Sequence, residues 1–260
     1  MNEKISVLMT VYNEEKYLVD SINSILTQKY ENFEFIIVDD FSSDQSKNII
    51  RKINDKRIKF YELKEKLGRT KALNFGLKKC QSDFIAIQDA DDIAHIDRFR
   101  ICMEKFNDDK TIGLTGTNFE FIDSNNLNEK SYNQLSDYKK VFSNLKFVNF
   151  IPHSSIIFNR RIFDKNLFYD ESFIYAQDYH LILKYLKNSK IYWIDKKLVK
   201  IRRHDSNMSN DKFYKKIRIK ENIRLLNYSL KYLKLDFFEK KKIILYKIKN
   251  YIKLILSNLA

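Results

Sequence analysis

Three carboxylates fall within four residues at Asp89-Ala90-Asp91-Asp92, directly after the apolar run Phe84-Ile85-Ala86-Ile87. Clustered carboxylates repel one another and stay ionised at neutral pH only where a cation or solvent offsets the repulsion. Hard oxygen donors beside a phosphate are a usual setting for Mg2+ or Mn2+. The other reading is a helix start, with Asp91 or Asp92 capping the segment that follows. Further groups able to do chemistry are Asp39-Asp40, His153, Asp178 and the cluster Arg202-Arg203-His204.

These groups depend on the elements that carry them. Phe84–Ile87 is short and almost wholly apolar, the pattern of a strand buried on both faces. Ile5–Val11 and Phe33–Val38 read the same way, and Ile58–Tyr61 is a third, shorter run. Between them, Leu18, Ile22 and Ile25 recur at helical spacing, as do Ile49, Ile50 and Ile53. Gly68-Arg69-Thr70-Lys71 opens another helix, carrying Ala72, Leu73, Phe75 and Leu77. Strand–helix alternation with short links predicts an α/β fold with a mostly parallel sheet covered on both faces. Ligands in such sheets sit outside the carboxyl ends of the strands. Polar residues collect at three of those ends, Thr10 to Asn13, Asp39-Asp40 and Asp89 to Asp92, where a nucleotide could lie. Asp39, Asp40 and Ser42 could instead cap the next helix, although one acceptor per helix would suffice.

Beyond Arg100 the alternation lapses. Ile112–Ile122 reads as a strand pair, Asp137–Phe147 as a short helix, and Ile151–Phe158 as a loop entering a strand. Asp178–Leu186 has helical spacing, Ile191–Ile194 and Leu198–Ile201 read as two short strands, and Arg202–Asp205 as a polar loop. This half is expected to form the acceptor side of one continuous domain.

Composition narrows the function. Four glycines in the whole chain make neither a G-x-G-x-x-G fingerprint nor a Walker A loop, which excludes Rossmann dinucleotide binding and P-loop hydrolysis. Cys80 and Cys102 lack metal-ligand spacing and suit a reducing cytosol. No run approaches the ~18 apolar residues of a membrane span, and Met1-Asn2-Glu3-Lys4 opens straight into a strand, so an intracellular protein is expected. The net charge of +14 is uneven: residues 212–260 hold fourteen Lys/Arg against three acids, leaving only +3 for residues 1–211.

Taken in order, Val7-Leu8-Met9-Thr10-Val11-Tyr12-Asn13-Glu14-Glu15, Ile37-Val38-Asp39-Asp40-Phe41-Ser42-Ser43-Asp44 and Lys71-Ala72-Leu73-Asn74-Phe75-Gly76 make a pattern. With Asp89-Ala90-Asp91-Asp92 as a DXD motif and Gln177-Asp178-Tyr179 downstream, the chain resembles the inverting family 2 glycosyltransferases of GT-A fold, over about residues 5–205. The resemblance implies a nucleotide-sugar donor, a UDP-sugar foremost. It assigns Thr10, Val11, Tyr12, Asn13, Glu14, Asp39, Arg69, Asp89, Ala90 and Asp91 to the nucleotide-sugar side. Thr10, Val11 and Asp39 would meet the uracil, Asp39 accepting the imide N–H. Asp89 would meet the ribose or the metal's waters. Asp91, with His204, would hold Mn2+ or Mg2+ on the diphosphate, and Asp178 would be the catalytic base. Gln177 departs from the glutamate of many relatives. Asp178 could equally cap its helix. His153, Arg202 and His204 fall on the acceptor or phosphate side, although Arg202, Arg203 and His204 read equally as solvated surface groups.

The expected organisation is a catalytic domain over 1–211, with a nucleotide-sugar-binding half over 1–110 and an acceptor half over 111–211. A basic amphipathic helical tail over 212–260 follows. Ile244, Ile248, Tyr251, Ile252 and Ile255 share one face of that tail, with Lys247, Lys249, Asn250 and Lys253 elsewhere. Such a face either meets anionic lipid or packs on the body, and no nucleic-acid motif accompanies the charge. The function expected is transfer of a sugar to a glycan or lipid-linked acceptor in surface polysaccharide or lipooligosaccharide synthesis, in the cytoplasm, peripheral on the inner face of the membrane. A nucleotidyltransferase would need a glycine-rich N-terminal loop, and a non-catalytic scaffold would not need Asp91 and Asp178.

Overall fold

The computed structural model describes residues 3–127, 144–163, 167–205 and 212–259. Eight strands form one mixed sheet: β1 (Ile5–Val11), β2 (Phe33–Asp39), β3 (Ile58–Glu62), β4 (Phe84–Ile87), β5 (Ile93–Ala94), β6 (Ile112–Ile122), β7 (Ile157–Asn159) and β8 (Lys190–Arg202). Their order is β3-β2-β1-β4-β7-β6-β8-β5. Four pairings are parallel and three antiparallel, β7 running against both of its neighbours.

Side chains alternate across a strand, so each face of the sheet collects its own core. Ile5, Val7, Met9 and Val11 of β1 pack with α1 (Leu18–Leu26), α2 (Ser46–Lys52) and α4 (Arg98–Asp108) on one face. Leu8, Ile36 and Ile85 pack with α3 (Arg69–Lys79) and α5 (Gln177–Asn188) on the other. Burial on both faces explains why these strands read as continuous apolar runs. The register sets Val11 beside Asp39 and Leu8 beside Ile87. The polar residues that follow each strand therefore arrive at one sheet edge.

Two expectations for the second half are corrected. Ile112–Ile122 is one strand, not a pair. Its Gly116 serves close packing rather than a turn: an added Cβ would lie 3.0 Å from Ile151 Cγ2 and 3.3 Å from Trp193 Cε3. Lys190–Arg202 is likewise one strand rather than two. The polar residues between its apolar runs form a register irregularity against β6, where Asn118 Nδ2 donates to Asp195 Oδ1 at 2.9 Å. Of the helix expected over Asp137–Phe147, residues 137–143 lie outside the described residues.

The C-terminal region is two helices, α6 (Lys212–Tyr232) and α7 (Phe237–Leu259). Leu225 of α6 packs with Phe173, Ala176, Tyr179 and Leu183 around α5, and Leu226 packs with Phe147 and Ile243 of α7. Among the described residues, no helix is long and apolar enough to cross a membrane.

Candidate active site

A cleft of about 1160 Å3 opens at the sheet edge where β1 and β4 end. Thr10, Val11, Tyr12 and Glu14 line it from the β1 side, and Asp89, Ala90, Asp91 and Asp92 from the β4 side. Arg69, His153, Asp178 and Arg202 line it as well, and α6 and α7 close it with Arg218, Tyr246, Asn250 and Lys253.

Asp92 anchors the acidic loop rather than capping a helix, since the chain runs on into β5. Its Oδ1 accepts the Arg202 N–H at 2.9 Å and its Oδ2 accepts Ser154 Oγ–H at 2.5 Å. The Asp89 N–H donates to the same Ser154 oxygen at 3.0 Å, and Gln88 Nε2 donates to the Asp92 carbonyl at 2.8 Å. Burial, together with Asp91 and Asp89 alongside, raises the Asp92 carboxyl well above the usual range.

Asp91 and His204 meet, with Oδ2 and Nε2 3.0 Å apart. The imidazole also leans on the Tyr17 ring, centroids 4.8 Å apart, and the side chain is 6% exposed rather than solvated. Arg202 is not a surface arginine either. It is buried, donates from Nε to the Asp91 carbonyl at 2.8 Å and from Nη1 to the Asp123 carbonyl at 3.0 Å, and lies over Tyr17. Arg203 lies over the Phe121 ring at 3.4 Å. A carboxylate oxygen and an imidazole nitrogen suit Mn2+ and other divalent ions that accept mixed O and N donors. Among the described residues no group of three such side chains converges, so remaining positions would fall to a ligand or water.

Arg69 occupies the centre. Gly68, at φ +88°, turns the chain into α3, and Asp40 holds that turn by accepting the Leu67 and Gly68 N–H groups at 2.7 and 2.9 Å. Arg69 Nη2 then reaches Asp89 Oδ1 at 2.5 Å and His153 Nδ1 at 3.1 Å. Arginine only donates, so Nδ1 accepts and the neutral ring carries its proton on Nε2, which faces Tyr169 Oη at 2.8 Å. With its amide turned to satisfy both ends, Gln177 accepts from Arg69 Nε at 3.3 Å through its oxygen and donates through its nitrogen to the Tyr175 carbonyl at 2.8 Å. Although burial opposes it, the Arg69 guanidinium holds the Asp89 carboxyl well below the usual range.

Asp178 is the second residue of α5 and not its N-cap, which is Ala176. The N–H groups entering this helix are met by Glu221 of α6, which accepts from Ile174, Tyr175 and Ala176 at 2.7 to 3.0 Å. Asp178 Oδ2 accepts Asn149 Nδ2 at 3.0 Å and Oδ1 accepts the Tyr179 N–H at 2.7 Å. Burial raises its pKa against the pull of the Tyr179 N–H and Arg69, which makes the carboxylate a stronger base.

The β1 loop divides its duties. The Glu14 carboxyl is pushed up to about 8 by burial and by Asp91, with Asp89 and Asp44 adding to the effect against Arg69. Asn13 does not line the cleft. At φ 55° it braces the β2 loop, accepting the Ser43 N–H at 2.8 Å, while its own N–H reaches Ser42 Oγ at 3.0 Å. Asp39 is buried beside Val11, and one oxygen accepts the Ser42 N–H at 2.9 Å. Its other oxygen has no hydrogen-bond partner among the described residues. Asp39 and Asp40 therefore cap no helix. Asn149, Tyr169 and Glu221 carried no local sequence signal, because their partners lie far along the chain.

The family model described as Glycosyl transferase family 2 matches residues 6–168. The chain belongs to this family. An uncharacterized glycosyltransferase of Rickettsia typhi is 29% identical over 212 residues, covering 79% of this chain and 66% of that protein. One from Methanocaldococcus jannaschii is 33% identical over 204 residues, covering 76% of this chain and 70% of that protein. Another, from Rickettsia bellii, is matched over only 29% of its length, so the chain spans only part of its glycosyltransferase relatives. Among solved structures, S. aureus TarS 1–349 in complex with UDP-GlcNAc aligns with TM-score 0.75 and 19% identity, over 96% of this chain and 73% of that one. The mannosyltransferase PcManGT from Pyrobaculum calidifontis, in complex with GDP-Man and Mn2+, aligns with TM-score 0.70 and 16% identity, over 95% and 70%. The family 2 chain thus has the GT-A fold expected of it.

Proposed function

We propose that this protein is an inverting glycosyltransferase that moves a sugar from a nucleotide-sugar, foremost a UDP-sugar, to a hydroxyl of a glycan or lipid-linked acceptor. Surface polysaccharide or lipooligosaccharide synthesis at the cytoplasmic face of a membrane is the setting. Residues 1–110 serve the donor, 111–211 the acceptor, and both face one cleft. The observation that carries this reading is the Arg69 guanidinium, shared between Asp89 at the end of β4 and Gln177 next to Asp178. It sets donor-side acids and a raised-pKa carboxylate around one cation. The UDP-GlcNAc complex of TarS supports a uridine donor.

In this reading the Asp39 oxygen left unpartnered among the described residues, buried behind the cleft lining, takes the imide N–H of the base, with Thr10, Val11 and Tyr12 beside it. Lys66, over the Tyr12 ring at 3.5 Å, and Arg69 supply positive charge toward the diphosphate. Asp91 and His204 would hold Mn2+ or Mg2+, which when bound offsets charge on the departing diphosphate. Asp178 takes the proton of the acceptor hydroxyl onto a carboxylate oxygen as that hydroxyl attacks the anomeric carbon from the face opposite the leaving group, inverting the centre. Asn149 and the Tyr179 N–H engage different oxygens of Asp178 and so fix its plane, leaving a lone pair for the proton. Gln177 is neutral, which leaves the charge of Arg69 to Asp89 and the ligand.

Incubation with UDP-sugars, with and without Mn2+, tests the proposal. Release of free UDP is expected. Pyrophosphate-dependent release of UTP would mark a nucleotidyltransferase instead, and silence with every donor a binding scaffold.

A further inference from the structure

Helix α7 has two opposite faces. Its inner face holds it to the body: Ile243 is fully buried, Tyr246 stacks on Phe147 at 6.2 Å, and Lys242 Nζ donates to Asn144 Oδ1 at 3.0 Å. Its outer face is an apolar stripe that also carries Lys241, whose ammonium lies over the Phe237 ring at 4.5 Å. Phe237, Ile244, Ile248, Tyr251, Ile252 and Ile255 are each 48–64% exposed, and Phe238, Leu245 and Leu256 widen the stripe to one side. The stripe runs about 30 Å, from the first turn of the helix to the last. Among the described residues, the tail's apolar face therefore does not pack on the catalytic body.

Charge borders the stripe. At about 100° per residue, Lys240 and Lys247 fall along one edge and Lys249 along the other. The only acid of α7, Glu239, points inward to Lys146 at 2.6 Å. Two copies meeting through this face would bring lysine rows together with no acid between them. A surface of anionic headgroups over acyl chains complements both features, with lysine stems reaching outward to phosphate.

We propose that α7 is an in-plane anchor whose outer face lies on an anionic lipid surface. The apolar stripe enters the headgroup–acyl boundary and the flanking lysines meet the lipid phosphates. Asn250 and Lys253, nearer the inner face, line the cleft. The anchored cleft therefore opens beside the lipid surface, where a lipid-linked acceptor would be presented. That last consequence rests on the transferase reading, whereas the anchoring does not.

The test is co-sedimentation of the full chain with vesicles of phosphatidylcholine alone and of phosphatidylcholine mixed with phosphatidylglycerol. Binding to the mixed vesicles is expected, weakening with salt. Ile248→Asp with Ile252→Asp should lower it about tenfold or more, and Lys240→Gln and Lys247→Gln about fivefold each. The apolar-face variant should keep the circular dichroism spectrum of the parent. Ile248→Trp, which keeps the stripe apolar, should shift its emission to the blue on mixed vesicles. Pelleting that is unchanged by the aspartates, or emission that does not move, would overturn the anchor. So would a concentration-dependent dimer that the aspartates dissolve while lipid is ignored. Asp178→Asn should retain vesicle binding, so a failure of the transferase reading is seen separately.

Discussion

Arg69 Nη2 lies 2.5 Å from Asp89 Oδ1, in an ion pair that joins the start of α3 to the end of β4. Both partners are desolvated, and the same guanidinium also meets His153 and, through Nε, Gln177. Removing either partner strands a charge, and removing Arg69 also releases the acceptor side from the donor side.

Arg69→Met should therefore lower kcat/KM for transfer by about 100-fold or more, the scale seen when a positioned cationic or dipolar donor is deleted. Arg69→Lys should recover little, because an ammonium cannot serve three partners in a planar fork. Steady-state kinetics with the best donor decide this. Near-complete recovery by lysine would reduce Arg69 to a point charge.

Asp91 and Asp178 should separate by readout. Asp91→Ala should abolish the Mn2+-dependent part of UDP binding measured by calorimetry. Asp178→Asn should leave that binding within about twofold while cutting transfer by about 100- to 10,000-fold, the range for a lost general base. Equal losses of donor affinity in both would remove the division between them. Because burial raises the Asp178 pKa, the acidic limb of the kcat profile should lie above the ordinary value of about 3.9.

Glu221 binds the N–H groups of Ile174, Tyr175 and Ala176 from a different helix. Glu221→Ala should cost about 1–3 kcal/mol, since it leaves buried donors unmet. Glu221→Gln, with one acceptor oxygen, should cost less. Urea denaturation gives the values. A loss in Glu221→Gln as large as in Glu221→Ala would mean that charge, rather than the acceptor pair, matters.

The donor edge was legible because parallel strands buried on both faces announce themselves: β1, β2 and β4 each end an apolar run in polar residues at Thr10, Asp39 and Asp89. The supports of that edge were not. Asp92 is held by the N–H of Arg202, 110 residues away, and a charge pattern alone makes that arginine look solvated. Gly116 could mark either a turn or a close contact until Trp193 is seen against it. Periodicity found the apolar face of α7 but carried no information on which side the body covers; Ile243 and Tyr246, not the longer stripe, make that contact. The two-residue β5 is too short for any periodic signal.

His180 gives the protein an acid-sensitive joint apart from the cleft. Its ring stacks on Phe173 at 4.8 Å and meets Tyr228 edge-on at 5.1 Å, between α5 and α6. Burial, with Lys184 and Arg224 nearby and Asp170 opposing them, pushes its pKa down to about 4. The unfolded chain protonates this histidine near pH 6.5. Between about 6.5 and 4 the unfolded state therefore binds more protons, and stability falls as the pH drops through that window. Above it the histidine is neutral in both states and contributes no pH dependence; below about 4 its penalty is constant. The loss is on the order of 2 kcal/mol at about pH 4.5. His180→Phe keeps a ring between Phe173 and Tyr228 and removes the titration. Urea midpoints of the two proteins should be nearly parallel above neutrality and diverge in favour of the phenylalanine variant from about pH 6.5 downward. Curves that stay parallel to pH 4 would show that the ring is protonated in place.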